Sequence, residues 1–362
     1  MGDRTKRLSK SGIPYADYGW NIVRGCSKDG RPGCLNCWAA RQCATRLKHL
    51  PEYAGLAEKF VPTTICSACH GHGVEEVPDR PAGWWQECSA CKGMRSLPLT
   101  GDAGRPWYDW TGEVRFDPAE LERPLHTRKP GVVFTVPRGD LFHEQVTDAQ
   151  IASAFLIMDQ TPHLTYYVLT KRWRRAQEWC SEFISSERPV ANFLPIFSVW
   201  DQPSADAAIP DLLATPAAVR GVSVEPMLSD IDLMQRETCD ECGGHGFRWV
   251  DGCGPSYVNS YPNAEGAPCH KVACETCGGD FDFPGEGEVE TFPDLDWLIL
   301  GGETGPGARP MDPEWALSVY RQCKAAGTAF WFKDWAGKVR PPMTPDLAEM
   351  EATHERPGTP CA

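Results

Sequence analysis

Trp297-Leu298-Ile299-Leu300-Gly301-Gly302-Glu303 decides how this chain folds. Four apolar residues without polar alternation describe a short strand buried on both faces, and two glycines followed by a carboxylate describe its exit into a loop. Glycines there let a ligand approach the backbone, and Glu303 can accept hydrogen bonds from an ammonium group. Pro313 to Ala326 is helix-like, and Ala329-Phe330-Trp331-Phe332 is a second buried run. Strand, helix and strand in that order imply parallel strands joined by a right-handed crossover.

The alternation extends back through the chain. Val132-Val133-Phe134-Thr135-Val136, Thr165-Tyr166-Tyr167-Val168-Leu169, Ile196-Phe197-Ser198-Val199-Trp200 and Gly221-Val222-Ser223-Val224 are further apolar runs, and a strand from Trp20 to Val23 precedes them. Helices are predicted over Asp148 to Met158, Trp173 to Ile184, Ile209 to Val219, and Trp38 to Leu50, the last free of Gly and Pro. About seven strands alternating with helices predict an α/β fold, a partial (β/α) TIM-like barrel or an open sheet.

Each strand ends in polar or charged residues: Arg138 and Asp140, Thr170-Lys171-Arg172, Asp201, Glu225, Glu303, and Lys333-Asp334. In parallel α/β folds the ligand site lies at the carboxyl ends of the strands, so these groups should converge on one mouth. Arg138, Asp140, Lys171, Arg172, Glu225 and Lys333 are the candidate catalytic residues.

After the first strand comes Gly25-Cys26-Ser27-Lys28-Asp29-Gly30-Arg31-Pro32-Gly33-Cys34-Leu35-Asn36-Cys37-Trp38. Cys26, Cys34 and Cys37 sit on a Gly/Pro-rich loop running into a helix N-terminus, where backbone amides favour thiolate charge. Three thiolates are one short of a closed zinc site, but they suit a [4Fe-4S] cluster with one iron left open. Cys43, packed on the helix, is the less favoured fourth ligand of a structural zinc alternative.

Two further cysteine groups interrupt the pattern. Cys66-x2-Cys69 and Cys88-x2-Cys91 predict a four-thiolate zinc ribbon, each knuckle presenting two sulfurs to one ion. Cys239-x2-Cys242 and Cys274-x2-Cys277 repeat the arrangement, with Cys253 and Cys269 between them as alternative ligands. The predicted organisation is therefore a barrel start with cluster loop over 1–60, a zinc insert over 61–100, barrel over 101–236, a second zinc insert over 237–292, barrel over 293–340 and a flexible tail over 341–362.

Composition narrows the class. Seventeen cysteines could signal a disulfide-rich secreted protein, but the count is odd and they cluster in Cys-x2-Cys pairs. Met1 to Lys10 is polar and basic rather than a signal peptide, and no apolar run reaches the roughly 18 residues of a membrane span. A soluble cytoplasmic protein with metal-bound thiolates is expected. The net charge of -13 argues against a non-specific nucleic-acid coat, although residues 1 to 50 are basic and the Lys171-Arg172-Trp173-Arg174-Arg175 run offers a local basic patch.

Asn21-Ile-Val-Arg-Gly-Cys26, Cys34-Leu-Asn-Cys37-Trp-Ala, Asp140-Leu-Phe-His143, Leu169-Thr-Lys-Arg172, Val222-Ser-Val-Glu-Pro226, Gly301-Gly-Glu303-x-Gly-Pro-Gly-Ala-Arg-Pro310 and Phe332-Lys-Asp-Trp335 together resemble the phage-associated three-cysteine-motif family. That family, found in phage and bacterial genomes and largely a domain of unknown function, is in turn similar to radical S-adenosylmethionine enzymes in its partial barrel and cysteine loop. The spacing here departs from the Cys-x3-Cys-x2-Cys of those enzymes, and the Gly-Gly-Glu follows the sixth strand rather than the second. The resemblance implies S-adenosylmethionine as cofactor, with Gly301, Gly302, Glu303 and Arg309 as cofactor-binding residues and a [4Fe-4S] cluster on Cys26, Cys34 and Cys37. It further implies an electron-donor protein and, with the Lys171 to Arg175 run, points to a nucleotide or nucleic acid base as substrate, while the two sets of Cys-x2-Cys pairs predict about two zinc ions. A non-catalytic zinc-dependent module that binds nucleic acid or protein is the alternative, and a hydrolase using the mouth carboxylates is a weaker one.

Overall fold

The computed structural model describes residues 7–27, 31–60, 63–65, 74–76, 85–87, 96–98, 107–184, 190–238, 247–250, 270–273, 288–305, 307–337 and 340–357. Two compact units divide the chain, Met1–Ile231 with Leu295–Ala362 and, separately, Asp232–Asp294.

The larger unit is built on an eight-stranded sheet: β1 (Ser9–Lys10), β2 (Tyr18–Trp20), β3 (Gly131–Thr135), β4 (Leu164–Thr170), β5 (Phe193–Val199), β6 (Gly221–Val224), β7 (Trp297–Gly301) and β8 (Ala329–Asp334). The strands lie in sequence order. β2 to β8 are all parallel, and β1 closes one edge antiparallel to β2. Order along the sheet equal to order along the chain means that every crossover steps the same way, without the reversal of a doubly wound sheet. Among the described residues no pairing joins the first strand to the last, so the sheet is not closed into a full barrel.

The longer helices of this unit are α1 (Trp38–Ala44), α2 (Asp148–Asp159), α3 (Trp173–Phe183), α4 (Gln202–Leu213), α5 (Pro313–Ala326) and α6 (Pro345–Ala352). α2 starts where Thr147 and Gln150 form a capping box, and α5 stops at Gly327, whose φ of 75° ends the helix without the clash a Cβ would meet. Phe155 of α2 packs on Phe193 of β5, and Tyr320 of α5 packs on Phe330 of β8. The strand registers put Phe193, Phe197, Val222, Leu298 and Phe330 on one face, so these helices cover the same side. The opposite face gathers Phe134, Tyr167, Leu194, Ile196, Trp297, Ile299 and Trp331 around Tyr15. Tyr15 is buried against rings from both ends of the sheet, 6.1 Å from Phe134, 5.7 Å from Trp297 and 5.9 Å from Trp331 between centroids.

Several boundaries differ from the sequence reading. The helix predicted over Ile209 to Val219 is α4, which begins at Gln202 because Asp201 and Ser204 cap each other and ends before Pro216. α1 stops at Ala44 rather than Leu50, where the Thr45 hydroxyl donates back to the Arg41 carbonyl at 2.6 Å. The first predicted strand splits: Tyr18–Trp20 joins the sheet, while Val23–Arg24 leaves it to pair with Arg115–Phe116. Part of the predicted tail is regular structure, since α6 is followed by a bridge from His354 to Trp331 that covers the free edge of β8.

After α1 the larger unit carries three nested antiparallel ladders: Ala57–Phe60 pairs with Trp107–Trp110, Thr63–Ile65 with Ser96–Pro98, and Val74–Glu76 with Trp85–Glu87. In the smaller unit Gln235–Thr238 pairs with Glu288–Thr291 and Phe247–Val250 with His270–Ala273. The predicted zinc ligands Cys66, Cys69, Cys88, Cys91, Cys239, Cys242, Cys274 and Cys277, with Cys253 and Cys269, lie outside the described residues.

Candidate active site at the carboxyl ends of the strands

A cavity of about 430 Å³ opens on the face of the sheet opposite α2 and α5, at the strands' carboxyl ends. Cys26, Cys34 and Cys37 line it from the cysteine loop, and Asp140, Lys171, Arg172, Glu225, Gly302, Glu303 and Lys333 line it from the strand ends. Tyr15, Phe134, Val136 and Leu169 supply apolar wall. Val136 turns the chain out of β3 at a φ of 59°, unusual for a β-branched residue, and its N–H donates to the Trp20 carbonyl at 2.7 Å.

Three strand ends hold the cysteine loop. The Arg31 guanidinium lies over the Trp173 ring at 5.9 Å and donates to the Lys171 carbonyl. Gly33 packs so closely on Trp200 that a Cβ there would stand 2.6 Å from the indole. Asn36 donates from Nδ2 to Glu303 Oε2 at 2.8 Å and to the Gly307 carbonyl at 3.2 Å, and Arg309 donates to the Pro32 carbonyl at 2.8 Å. Glu303, buried, accepts further bonds from the Arg309 backbone N–H at 2.8 Å and from the Arg309 guanidinium. Burial pushes the Glu303 carboxyl up, but the Arg309 and Asn36 hydrogen bonds outweigh it and hold the group below its ordinary range.

Arg172 is the hub beneath Cys26. Its Nε donates to both oxygens of Glu144 at 2.9 Å, Nη1 to Asp140 at 3.2 Å and to Cys26 Sγ at 3.6 Å, and Nη2 to Ser27 Oγ at 3.2 Å. Asp140, itself buried, also accepts from the Thr170 hydroxyl at 2.8 Å and from the Phe142 N–H at 3.0 Å. Burial pushes the Cys26 thiol up to about 12, against the pull of Arg172. His143 stays neutral because burial and Arg172 both lower its pKa. Its Nδ1 accepts from the Gln145 N–H at 3.1 Å, so the proton sits on Nε2 and is donated to Ser27 Oγ at 2.9 Å. Ser27 therefore accepts from His143 rather than giving its proton to it, which excludes a serine–histidine nucleophile in this arrangement.

Across the cavity Lys333 Nζ stands 2.8 Å from the Glu225 carboxylate and 6.0 Å from the centre of the Tyr15 ring. Lys171 Nζ reaches the Glu225 carbonyl at 3.5 Å.

Three predicted site residues stand behind the wall rather than on it. Arg138 lies over the rings of Trp38 at 5.9 Å and Tyr53 at 5.7 Å, Arg309 pairs with Glu303, and Gly301 backs Glu225, whose Oε1 a Cβ would meet at 3.0 Å. Arg174 pairs with Glu178 and Asp211, and Arg175 donates to the carbonyls of Phe142, His143 and Val146. Neither of the two therefore forms a free basic patch.

A family profile described as "Protein of unknown function (DUF5131)" matches residues 82–354. The chain belongs to this family. The DUF5131 match takes in β3 through β8 with every strand-end residue of the cavity, and it begins after the cysteine loop. No curated protein and no solved structure gives a significant match.

Three thiols opening on one cavity are a donor set whose chemistry fits a soft iron–sulfur centre. Among the described residues no three or more His, Cys, Asp or Glu side chains are gathered closely enough to enclose a metal ion. Asn36, Arg31 and Tyr15 were not singled out as site residues by the sequence. Asn36 sits inside Cys34-x2-Cys37, where a polar residue between two candidate ligands is the signal that could have pointed to it. Tyr15 carries no such mark.

Proposed function

We propose that the chain is a radical S-adenosylmethionine-type iron–sulfur enzyme, related to the phage-associated three-cysteine-motif proteins and acting on a nucleotide, a nucleic acid base or a related small molecule. Cys26, Cys34 and Cys37 would hold a [4Fe-4S] cluster, and Gly302 and Glu303 border the cofactor's place. Such a cluster, when bound, supplies the electron that opens the sulfonium of its cofactor. The observation that carries the proposal is that all three thiols and the ionisable strand ends line one cavity. Arg172 holds positive charge against Cys26, Glu303 and Arg309 fix the loop, and the apolar wall would shield the reacting end from water.

The sheet, in the same proposal, is a partial barrel. Its support is Tyr15, which touches β3, β7 and β8 together, and Arg356, which lies over Trp331 at 5.6 Å and donates to the Pro14 carbonyl at 3.5 Å. Two zinc ribbons belong to it as well. In each, both cysteine pairs fall in segments that join the same two ladders: the ladders of 63–65 and 74–76 in one, those of 235–238 and 247–250 in the other. An intracellular location and an electron-donor protein follow from cluster chemistry. Among the described residues no helix is long and apolar enough to cross a membrane.

The test is electron paramagnetic resonance of anaerobically purified, reduced protein with and without S-adenosylmethionine. A reduced-cluster signal that shifts on adding the cofactor is expected. A cluster signal indifferent to it would separate iron–sulfur binding from radical chemistry, and no cluster signal with zinc as the only metal would favour a zinc-dependent binding module.

A further inference from the structure

Three carboxylates that line the cavity are each matched by a cation. Asp140 is matched by Arg172, Glu225 by Lys333, and Glu303 by Arg309. Lys171 also lines the cavity, and no carboxylate among the described residues pairs with it; its ammonium makes a single long hydrogen bond, 3.5 Å to the Glu225 carbonyl. The backbone beneath this side chain is fixed on both sides, since the Lys171 N–H donates to Asp140 at 3.3 Å and its carbonyl accepts from Arg31. A half-buried ammonium on a fixed backbone, facing a cavity whose carboxylates are already matched, is a site for an external oxyanion. The space is sized for a small organic molecule, within the roughly 300–1,000 Å³ typical of ligand pockets, rather than for a bare inorganic anion. Part of its apolar wall is aromatic: Tyr15 and Phe134 stand together, and Lys333 links Tyr15 to Glu225.

We propose that the cavity binds a small organic oxyanion with a flat apolar body, its carboxylate or phosphate on Lys171 Nζ and its ring toward Tyr15 and Phe134. This deepens the functional proposal by naming a substrate class for the same cavity, and it rests on that cavity being the substrate site.

Adenosine 5′-monophosphate, adenosine and benzoate serve as probes in calorimetric titrations of the full chain, using wild type, Lys171→Met and Lys171→Arg. Saturable binding of the monophosphate or of benzoate is expected. If phosphate is the preferred anion, adenosine binds about tenfold or more weakly than its monophosphate, as expected when a hydrogen bond to a charged group is removed. Lys171→Met should cost the anion the same factor and leave adenosine unchanged, while Lys171→Arg retains most of the affinity. Tighter binding of the monophosphate identifies phosphate as the anion, and tighter binding of benzoate identifies carboxylate. Absence of saturable binding by either anion, or anion binding unchanged in Lys171→Met, overturns the proposal. Metal content, read on the same samples, keeps the two proposals apart: a zinc-only chain that binds the anion through Lys171 would sink the enzyme proposal alone, and a cluster-bearing chain indifferent to Lys171→Met would sink this one alone.

Discussion

Asn36 Nδ2 lies 2.8 Å from Glu303 Oε2, a bond that ties the middle of the Cys34-x2-Cys37 motif to the loop after β7, 267 residues away. The cysteine loop is thus not a free hairpin but a lid pinned to the strand ends by a carboxylate. That carboxylate is itself held by Arg309, so loop position depends on an ion pair whose carboxylate is buried and whose guanidinium is part-exposed.

Glu303→Gln should lower stability by about 2–3 kcal/mol, because a charge-assisted set of bonds is replaced by a neutral amide beside an unmatched guanidinium. Glu303 has a folded pKa held below its ordinary value of 4.5, so its contribution is full above that pH and is lost as pH falls through the folded value. Denaturant titrations across pH should therefore show wild type and variant separated by a constant gap above pH 4.5 that closes on acidification. A gap that persists into strong acid would contradict the assignment.

Arg172→Gln leaves Asp140 buried without its cation and is expected to cost about 3–5 kcal/mol. The double variant Asp140→Asn with Arg172→Gln should recover part of that loss, because the uncompensated charge goes with it. Additive losses in the cycle would show that the two residues do not act as a pair.

Gly302→Ala and Gly33→Ala separate the frame from the loop. A Cβ on Gly302 would stand 2.3 Å from the Ala336 backbone nitrogen, where only main chain could yield, so a loss of about 1–3 kcal/mol in global stability is expected. At Gly33 the obstacle is the Trp200 ring, and the loop can lift away instead. Thermal melting should change little there, while metal bound by the loop should fall. Equal effects of both on melting temperature would argue against a separately seated loop.

Removing residues 353–362 uncovers β8. The Thr353 carbonyl accepts from the Phe332 N–H at 3.0 Å, Glu355 N–H donates to the Phe330 carbonyl at 2.8 Å, and the Glu355 carbonyl accepts from Trp297 Nε1 at 2.9 Å. An exposed edge strand invites pairing with another chain, so size-exclusion chromatography should show association that the full chain lacks. A monomeric truncated chain with unchanged melting temperature would show that the edge needs no cover.

The parallel sheet was legible because strands buried on both faces need no alternation, so Trp297–Leu300 and its fellows stand out as unbroken apolar runs. Convergence of Asp140, Lys171, Arg172, Glu225 and Lys333 follows from that, since parallel strands end at one edge. The helix predicted over Ile209 to Val219 begins earlier, at Gln202, because Asp201 and Ser204 cap each other with Pro203 in the opening turn, a start that the apolar pattern alone did not mark. Arg138 was expected at the mouth, but the turn at Val136 sends its side chain onto Trp38 and Tyr53. The part of Tyr15 comes from contacts between distant segments, which no local pattern encodes, whereas Asn36 carried only the mark of its place inside Cys34-x2-Cys37 and Arg309 was named through the resemblance.

The most direct measurement is iron, sulfide and zinc analysis of anaerobically purified protein, comparing wild type with Cys34→Ala. About four irons with matching sulfide per chain, lost in Cys34→Ala while zinc stays, is the predicted result. Zinc alone in wild type, reduced by about one ion in Cys34→Ala, would make the loop a structural knuckle and contradict the account.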